Sequence, residues 1–108
     1  MIERRVLVVF KKEADAGLVS NFYKGLELLV QQARGLCSFE IRQFQALANE
    51  QALTKHVENV LFPDVMTVWK FENEHYLNEF ITGQFHLDIA RENFKPVVER
   101  RIVFNSAL

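Results

Sequence analysis

Two runs in this chain, Val6 to Phe10 and Val65 to Phe71, combine β-branched and aromatic residues over the length of a short strand. Successive side chains of a strand point to opposite faces. Val6, Val8 and Phe10 therefore oppose Leu7 and Val9, while Val65, Trp69 and Phe71 oppose Met66 and Val68. Both strands are apolar front and back. A sheet built from them must be covered on its two faces, and that requirement constrains the architecture more than any other feature of the sequence.

The remaining segments supply cover for one face. Glu3 to Lys11 reads as the first strand. From Asp15 the period changes, and Leu18, Phe22, Leu26, Leu29 and Ala33, widened by Val19 and Val30, predict a helix over about residues 15–34. Gly35 stands where a helix stop favours positive φ, and Cys37, Phe39 and Ile41 then alternate with Ser38, Glu40 and Arg42 as a half-buried second strand. Ala46 to Pro63 reads as a short helix capped by Asn49 and carrying Leu53, Val57, Val60 and Leu61; a strand over Val57 to Phe62 is the alternative. Val65 to Phe71 is the third strand. Asn73 caps a helix with Tyr76, Leu77, Phe80 and Ile81 on its face, Gly83 interrupts it, and Phe85, Ile89 and Phe94 continue a helical pattern to Pro96. Val97 to Phe104 is the last strand, with Val98, Ile102 and Phe104 on one side.

The order is β-α-β-β-α-β, an α+β ferredoxin-like antiparallel sheet. Right-handed crossovers put both helical layers on the same face of such a sheet. The second face then needs a lid, and in so short a chain the available lid is a second copy packed about a twofold axis. A homodimer follows as the expectation. The alternative is that Ala46 to Phe62 folds over the sheet of its own subunit.

Composition narrows the function classes. With 108 residues, 49% apolar and 25% charged, the sequence has the make-up of one globular domain spanning residues 1–108. Thirteen Lys and Arg against 14 Asp and Glu leave a net charge of −1, too little field to expect nucleic acid or a membrane surface as partner. The lone cysteine, Cys37, precludes an intrachain disulfide or thiolate cluster, which suggests the reducing cytoplasm. The run Val6 to Phe10 is short for a secretory leader, and no segment approaches the roughly 20 apolar residues of a membrane span.

The opening RRVLVVFK, the strand RGLCSFEIRQ and the segment VMTVWKFENEHYLNEFITGQFHLDIARENFKPVV together resemble the antibiotic-biosynthesis-monooxygenase (ABM) type domain of the dimeric α+β barrel superfamily. The first strand start, a Gly-Cys-x-x-Tyr-like second strand, a strand-ending Trp with an acidic helix start, and a Leu-x-x-His-hydrophobic-x-Ser-x-His-Phe-like turn carry the resemblance, which covers nearly the whole chain. Departures stand inside it. Phe80 occupies the place of the helix histidine, Gly83 lies near the small polar residue, and Phe85-His86 inverts the usual His-Phe order. The chain is also similar to the stress-responsive A/B barrel, with His86 near its second turn histidine and Gly83 replacing the first. The resemblance implies a cavity between sheet and helices, two subunits closing a barrel, and cofactor-independent oxygenation of a small phenolic or quinol-like compound without metal or flavin. A non-catalytic ligand-binding or stress-associated barrel is the rival reading. The haem-degrading type wants an asparagine early in the first strand, where this chain has Val6 to Val9.

Oxygenation of that kind needs aromatic walls, a proton acceptor and exclusion of water. Trp69 offers a stacking face and an indole N–H, although a tryptophan in a strand is as readily core or dimer interface. His86 titrates near neutrality and so can take a proton from a phenol; its plain alternative is a solvated turn. Phe22, Phe39, Phe80, Phe85 and Phe94 are the candidate walls for a flat ligand, against ordinary core packing. His75, beside Glu74, and His56 read as surface residues, and the three histidines lack the spacing of a metal site. Cys37 reads as a core residue. Among Arg4, Arg5, Arg100 and Arg101, one that faced inward would suit an anionic oxygen.

Overall fold

The computed structural model describes residues 1–45 and 61–108. The part of Ala46 to Pro63 through residue 60, with its expected short helix, and His56 lie outside the described residues. Strand β1 (Ile2–Phe10) is followed by helix α1 (Ala16–Gln32) and strands β2 (Leu36–Gln43) and β3 (Val65–Phe71). Helices α2 (Glu74–Thr82) and α3 (Gln84–Ile89), a π-helical turn (Ala90–Phe94) and strand β4 (Val98–Ala107) complete the fold. The four strands pair antiparallel in the order β2-β3-β1-β4, and the helices lie on one face, the ferredoxin-like arrangement expected from the segment order.

Local chemistry sets the boundaries. Asp15 Oδ1 accepts the Leu18 N–H at 2.8 Å and starts α1, whose buried Phe22, Gly25, Leu26 and Leu29 fall at helical spacing on one face. Asn73 Oδ1 does the same for the Tyr76 N–H at 3.1 Å, with Glu74 in the favourable first turn of α2. Gly35 has φ of +73°, and a Cβ there would run into the Tyr76 ring, so both backbone and space demand glycine. Asp64 ties the start of β3 to the end of β1: its carboxylate accepts the Phe10 N–H at 2.7 Å and its own N–H donates to the Val8 carbonyl at 2.8 Å.

Register sorts the faces. Ile2, Arg4, Val6 and Val8 stand opposite Phe71, Trp69, Thr67 and Val65, and this set turns towards the helices. Glu3, Arg5 and Leu7 pair with Lys70, Val68 and Met66 on the helix-free face. Ile102 and Phe104, opposite Leu7 and Arg5, join that second face and are 45% and 42% exposed. Val68 is buried at its centre between its cross-strand neighbours Arg5 and Glu40. At one corner Leu61 and Pro63 share a hollow of about 70 Å³ with Leu7, Val9 and Ile102, so the chain leading into β3 touches the edge of this face.

Two bulges correct the alternation read from sequence. Between Leu36 and Ser38 the β2 register shifts, so Cys37 is the extra residue; it is exposed, with its thiol 3.7 Å from the Gly35 carbonyl, and is not core. The second shift, at Val9 and Phe10 against β4, puts Val98 on the helix side, away from Ile102 and Phe104. Strand β4 also runs to Ala107, three residues beyond the expected end.

The π-helical turn packs hard against α1. Its last backbone bond runs from the Lys95 N–H to the Ala90 carbonyl at 2.8 Å, and Asn93 Nδ2 donates to the Asn21 carbonyl of α1 at 2.8 Å. A Cβ on Gly25 would lie 2.8 Å from Asn93 Cβ and 3.0 Å from both Ile89 Cγ2 and Phe94 Cε1. Gly25→Ala gains about 1 kcal/mol of helix propensity, whereas overpacking costs about 1–3 kcal/mol. Because two of the three neighbours belong to the pinned turn, the clash wins. Urea unfolding is expected to show a net loss of up to about 2 kcal/mol, with α1 pushed off the turn; a rise in midpoint would contradict this packing.

Candidate functional site: a pocket between sheet and helices

A cavity of about 430 Å³ opens between the helix-facing side of the sheet and the helical layer, inside the roughly 300–1,000 Å³ typical of small-molecule sites. Val6, Val8, Thr67 and Trp69 form its floor. Leu26 and Leu29 of α1 contribute to the roof, with Phe22, Phe80 and Phe94 beside them. Much of this floor and roof is apolar because the same faces form the core, while Arg4, Arg91, Lys95, Glu99, Arg100 and Arg101 also line the cavity.

Trp69 is buried and sits in an aromatic row: Phe39 lies 4.3 Å from it on one side and Phe80 5.0 Å on the other, and Phe80 in turn lies 4.8 Å from the His86 ring. The indole N–H is not free for a ligand. It donates to Thr67 Oγ1 at 2.9 Å, two residues back on the same strand face. Thr67, 2% exposed, thereby keeps its own hydroxyl hydrogen as the donor it can offer to the cavity it lines. Sequence reading passed over Thr67, though a hydroxyl between Val65 and Trp69 on the buried face was its signal.

His86 stands half-buried on α3, in the wall common to this pocket and a smaller hollow of about 200 Å³. Its Nδ1 is buried without a hydrogen-bond partner among the described residues. Burial, and then the Arg4 cation, hold the imidazole below its ordinary value of 6.5; the Ile81 carbonyl pulls the other way and Arg101 adds to the lowering. A ring so placed is biased towards its neutral form, and its buried Nδ1 has no hydrogen-bond partner among the described residues.

Of the five phenylalanines proposed as walls, Phe22, Phe80 and Phe94 line the cavity. Phe39 is a second layer behind Trp69, and Phe85 is exposed and lines the smaller hollow. His75 is exposed on α2, 3.7 Å from Glu79, and does not reach the pocket lining. The arginines divide as well. Arg5 turns to the helix-free face in an ion pair with Glu3 at 3.1 Å, whereas Arg4 and Arg101 line the cavity. Arg100, beside the bulge, borders both this cavity and the corner hollow. Among the described residues no three His, Cys, Asp or Glu side chains gather as a metal site would require, and no helix is long and apolar enough to cross a membrane.

No protein-family model matches the chain, and no curated protein does. Solved structures do. A hydroxynitrile lyase from Passiflora edulis superposes with a TM-score of 0.78 at 15% identity, covering 99% of this chain and 92% of that one. A dabb family protein with a ferredoxin-like fold from Mesorhizobium loti gives 0.74 at 13% identity over 99% and 95%. A dimeric ferredoxin-like protein of unknown function from Thermobifida fusca gives 0.76 at 15% identity over 99% and 90%. The likeness is one of fold. It agrees with the architecture that the ABM-type resemblance implied and leaves the chemistry to the pocket itself.

Proposed function

We propose that this protein is a homodimer with one pocket per subunit, that the pocket takes a small flat aromatic compound bearing an ionisable hydroxyl, and that His86 accepts its proton. The observation that carries the reading is the place of His86 in the cavity wall, half-buried, biased towards its neutral form and standing at the end of the Trp69–Phe80 row. An aromatic ring slotted beside Trp69 and Phe80 gains apolar burial and offset stacking, and the Thr67 hydroxyl is a donor for the oxygen anion that deprotonation leaves. An electron-rich anion of this kind reduces molecular oxygen directly. In an anthrone-like substrate a CH₂ becomes C=O, one oxygen atom entering the product and the other leaving as water, so substrate and oxygen balance the reaction between them. Cofactor-independent monooxygenation, as the ABM-type resemblance suggests, is thus the reaction proposed for the pocket.

The dimer rests on the helix-free face, where Leu7, Val9, Met66, Ile102 and Phe104 need cover, and is supported by dimeric neighbours of like fold. A second reading, ligand binding without turnover, is favoured by one observation: among the described residues no carboxylate orients the His86 ring from behind, as a base usually requires. Oxygen uptake separates the two. With a panel of hydroquinones and anthrones, the native protein should consume oxygen, Trp69→Phe less, and His86→Ala least. Saturable binding of the same compounds with no uptake would favour the binding protein, and unchanged uptake in both variants would remove these residues from the site.

A further inference from the structure

Arg4 and Arg101 reach the cavity from neighbouring strands, flanking the Val6–Val103 pair on the helix side of the sheet. Arg4 is half-buried, and its Nη1 donates to Asn105 Oδ1 at 3.3 Å. Among the described residues neither guanidinium has a carboxylate within ion-pair distance, although Arg5, Arg34, Arg42 and Arg91 all do. The lining holds five Lys or Arg side chains and a single acidic one, Glu99, which is exposed. A cation kept partly out of water beside a second cation is unfavourable by itself, and burial and Arg101 together lower the Arg4 value. In a chain of net charge −1 this local excess of positive charge is a feature of the pocket, not of the protein as a whole.

We propose that the Arg4–Arg101 pair binds a carboxylate, so that the ligand of this pocket is a hydroxyaryl carboxylate: its ring lies on the Trp69–Phe80 row, its hydroxyl meets His86 and its carboxylate takes the two guanidinium groups. This rests on the reading of the pocket as an aromatic site and names its substrate class. Guanidinium suits a carboxylate because its planar N–H groups match the two oxygens, and a half-desolvated setting strengthens the contact. One anion between the two cations satisfies both at once.

Isothermal titration with 2-naphthol and 6-hydroxy-2-naphthoate tests it, since the two probes share ring and hydroxyl and differ in the carboxylate. The native protein should bind the carboxylate at least about tenfold more tightly at low ionic strength, with the margin shrinking as salt rises. Arg101→Gln, at an exposed position, and Arg4→Gln should each remove the preference, the affinity for 6-hydroxy-2-naphthoate falling by a larger factor than that for 2-naphthol. Equal affinity of the native protein for both probes, or a preference that survives both variants, would overturn the carboxylate assignment and leave the aromatic pocket standing. Binding of neither probe would overturn the assignment and the pocket reading together.

Discussion

The double substitution Ile102→Lys with Phe104→Lys is expected to convert a dimer into a 12.6 kDa monomer in sedimentation velocity at micromolar concentration. Each side chain is a little under half exposed in the isolated subunit. Complete burial of an Ile or Phe side chain is worth about 1.5–3 kcal/mol, and twofold symmetry doubles the count to four; taking half of each as still to be buried gives about 3–6 kcal/mol. That corresponds to a dissociation constant weakened about 10²–10⁴-fold. Lysine adds repulsion, because Arg5 and Arg100 stand on neighbouring strands, Arg5 directly opposite Phe104. Both positions lie outside the helix-side core, so circular dichroism should show the subunit fold retained. A native protein that sediments as a monomer at the same concentration would contradict the dimer, and would turn attention to the Leu61–Pro63 corner as the start of a cover drawn from the same chain.

His86→Ala is expected to lower turnover of an oxidisable phenol by about 10²–10⁴-fold, the usual contribution of a positioned general base. His86→Gln, which fills similar space and still accepts hydrogen bonds but takes no proton near neutrality, should lose as much; recovery by Gln would show that the ring only packs against Phe80. The pH profile adds an independent readout. A base must be neutral to act, and burial together with Arg4 holds His86 below 6.5, so the acid limb of kcat/KM should lie below pH 6.5 with the activity level above it. Stability follows the same sign. The unfolded chain takes up the His86 proton as pH falls through 6.5 while the folded chain resists it, so native protein should lose stability on that descent and His86→Ala should lose less.

Much of the fold was legible because hydrophobic period and capping agree along the chain. The α1 stripe from Leu18 to Leu29, the Asp15-dependent start, the Asn73 cap and the positive φ of Gly35 are each local signals with one structural outcome. The bulges were not legible. An extra residue such as Cys37 leaves the apolar alternation of a strand intact on paper while turning one side chain out of register.

The site was partly legible for a related reason. Trp69 and His86 carry chemistry in their residue type, so they draw notice wherever they fall. Thr67 draws none until β3 is paired with β1 and its hydroxyl is found beneath the indole N–H. Arg4, Arg5, Arg100 and Arg101 look alike in sequence; only the register across β1 and β4 separates the three that line the pocket with no ion pair in the described chain from the one paired with Glu3. Phe80 illustrates the converse. Standing where a helix histidine would be in the ABM-type pattern, it lies between Trp69 and His86 of the next helix, linking the two by aromatic contact.

The most direct measurement is an NMR titration of the His86 imidazole, assigned by comparison with His86→Ala, in the free protein and in the presence of saturating 2-naphthol. A midpoint below 6.5 in the free protein, with ring resonances that move when the naphthol binds, is the expected result. A histidine that titrates at 6.5 or above and whose resonances ignore the bound aromatic would show that the proton acceptor of this pocket is not where its geometry puts it.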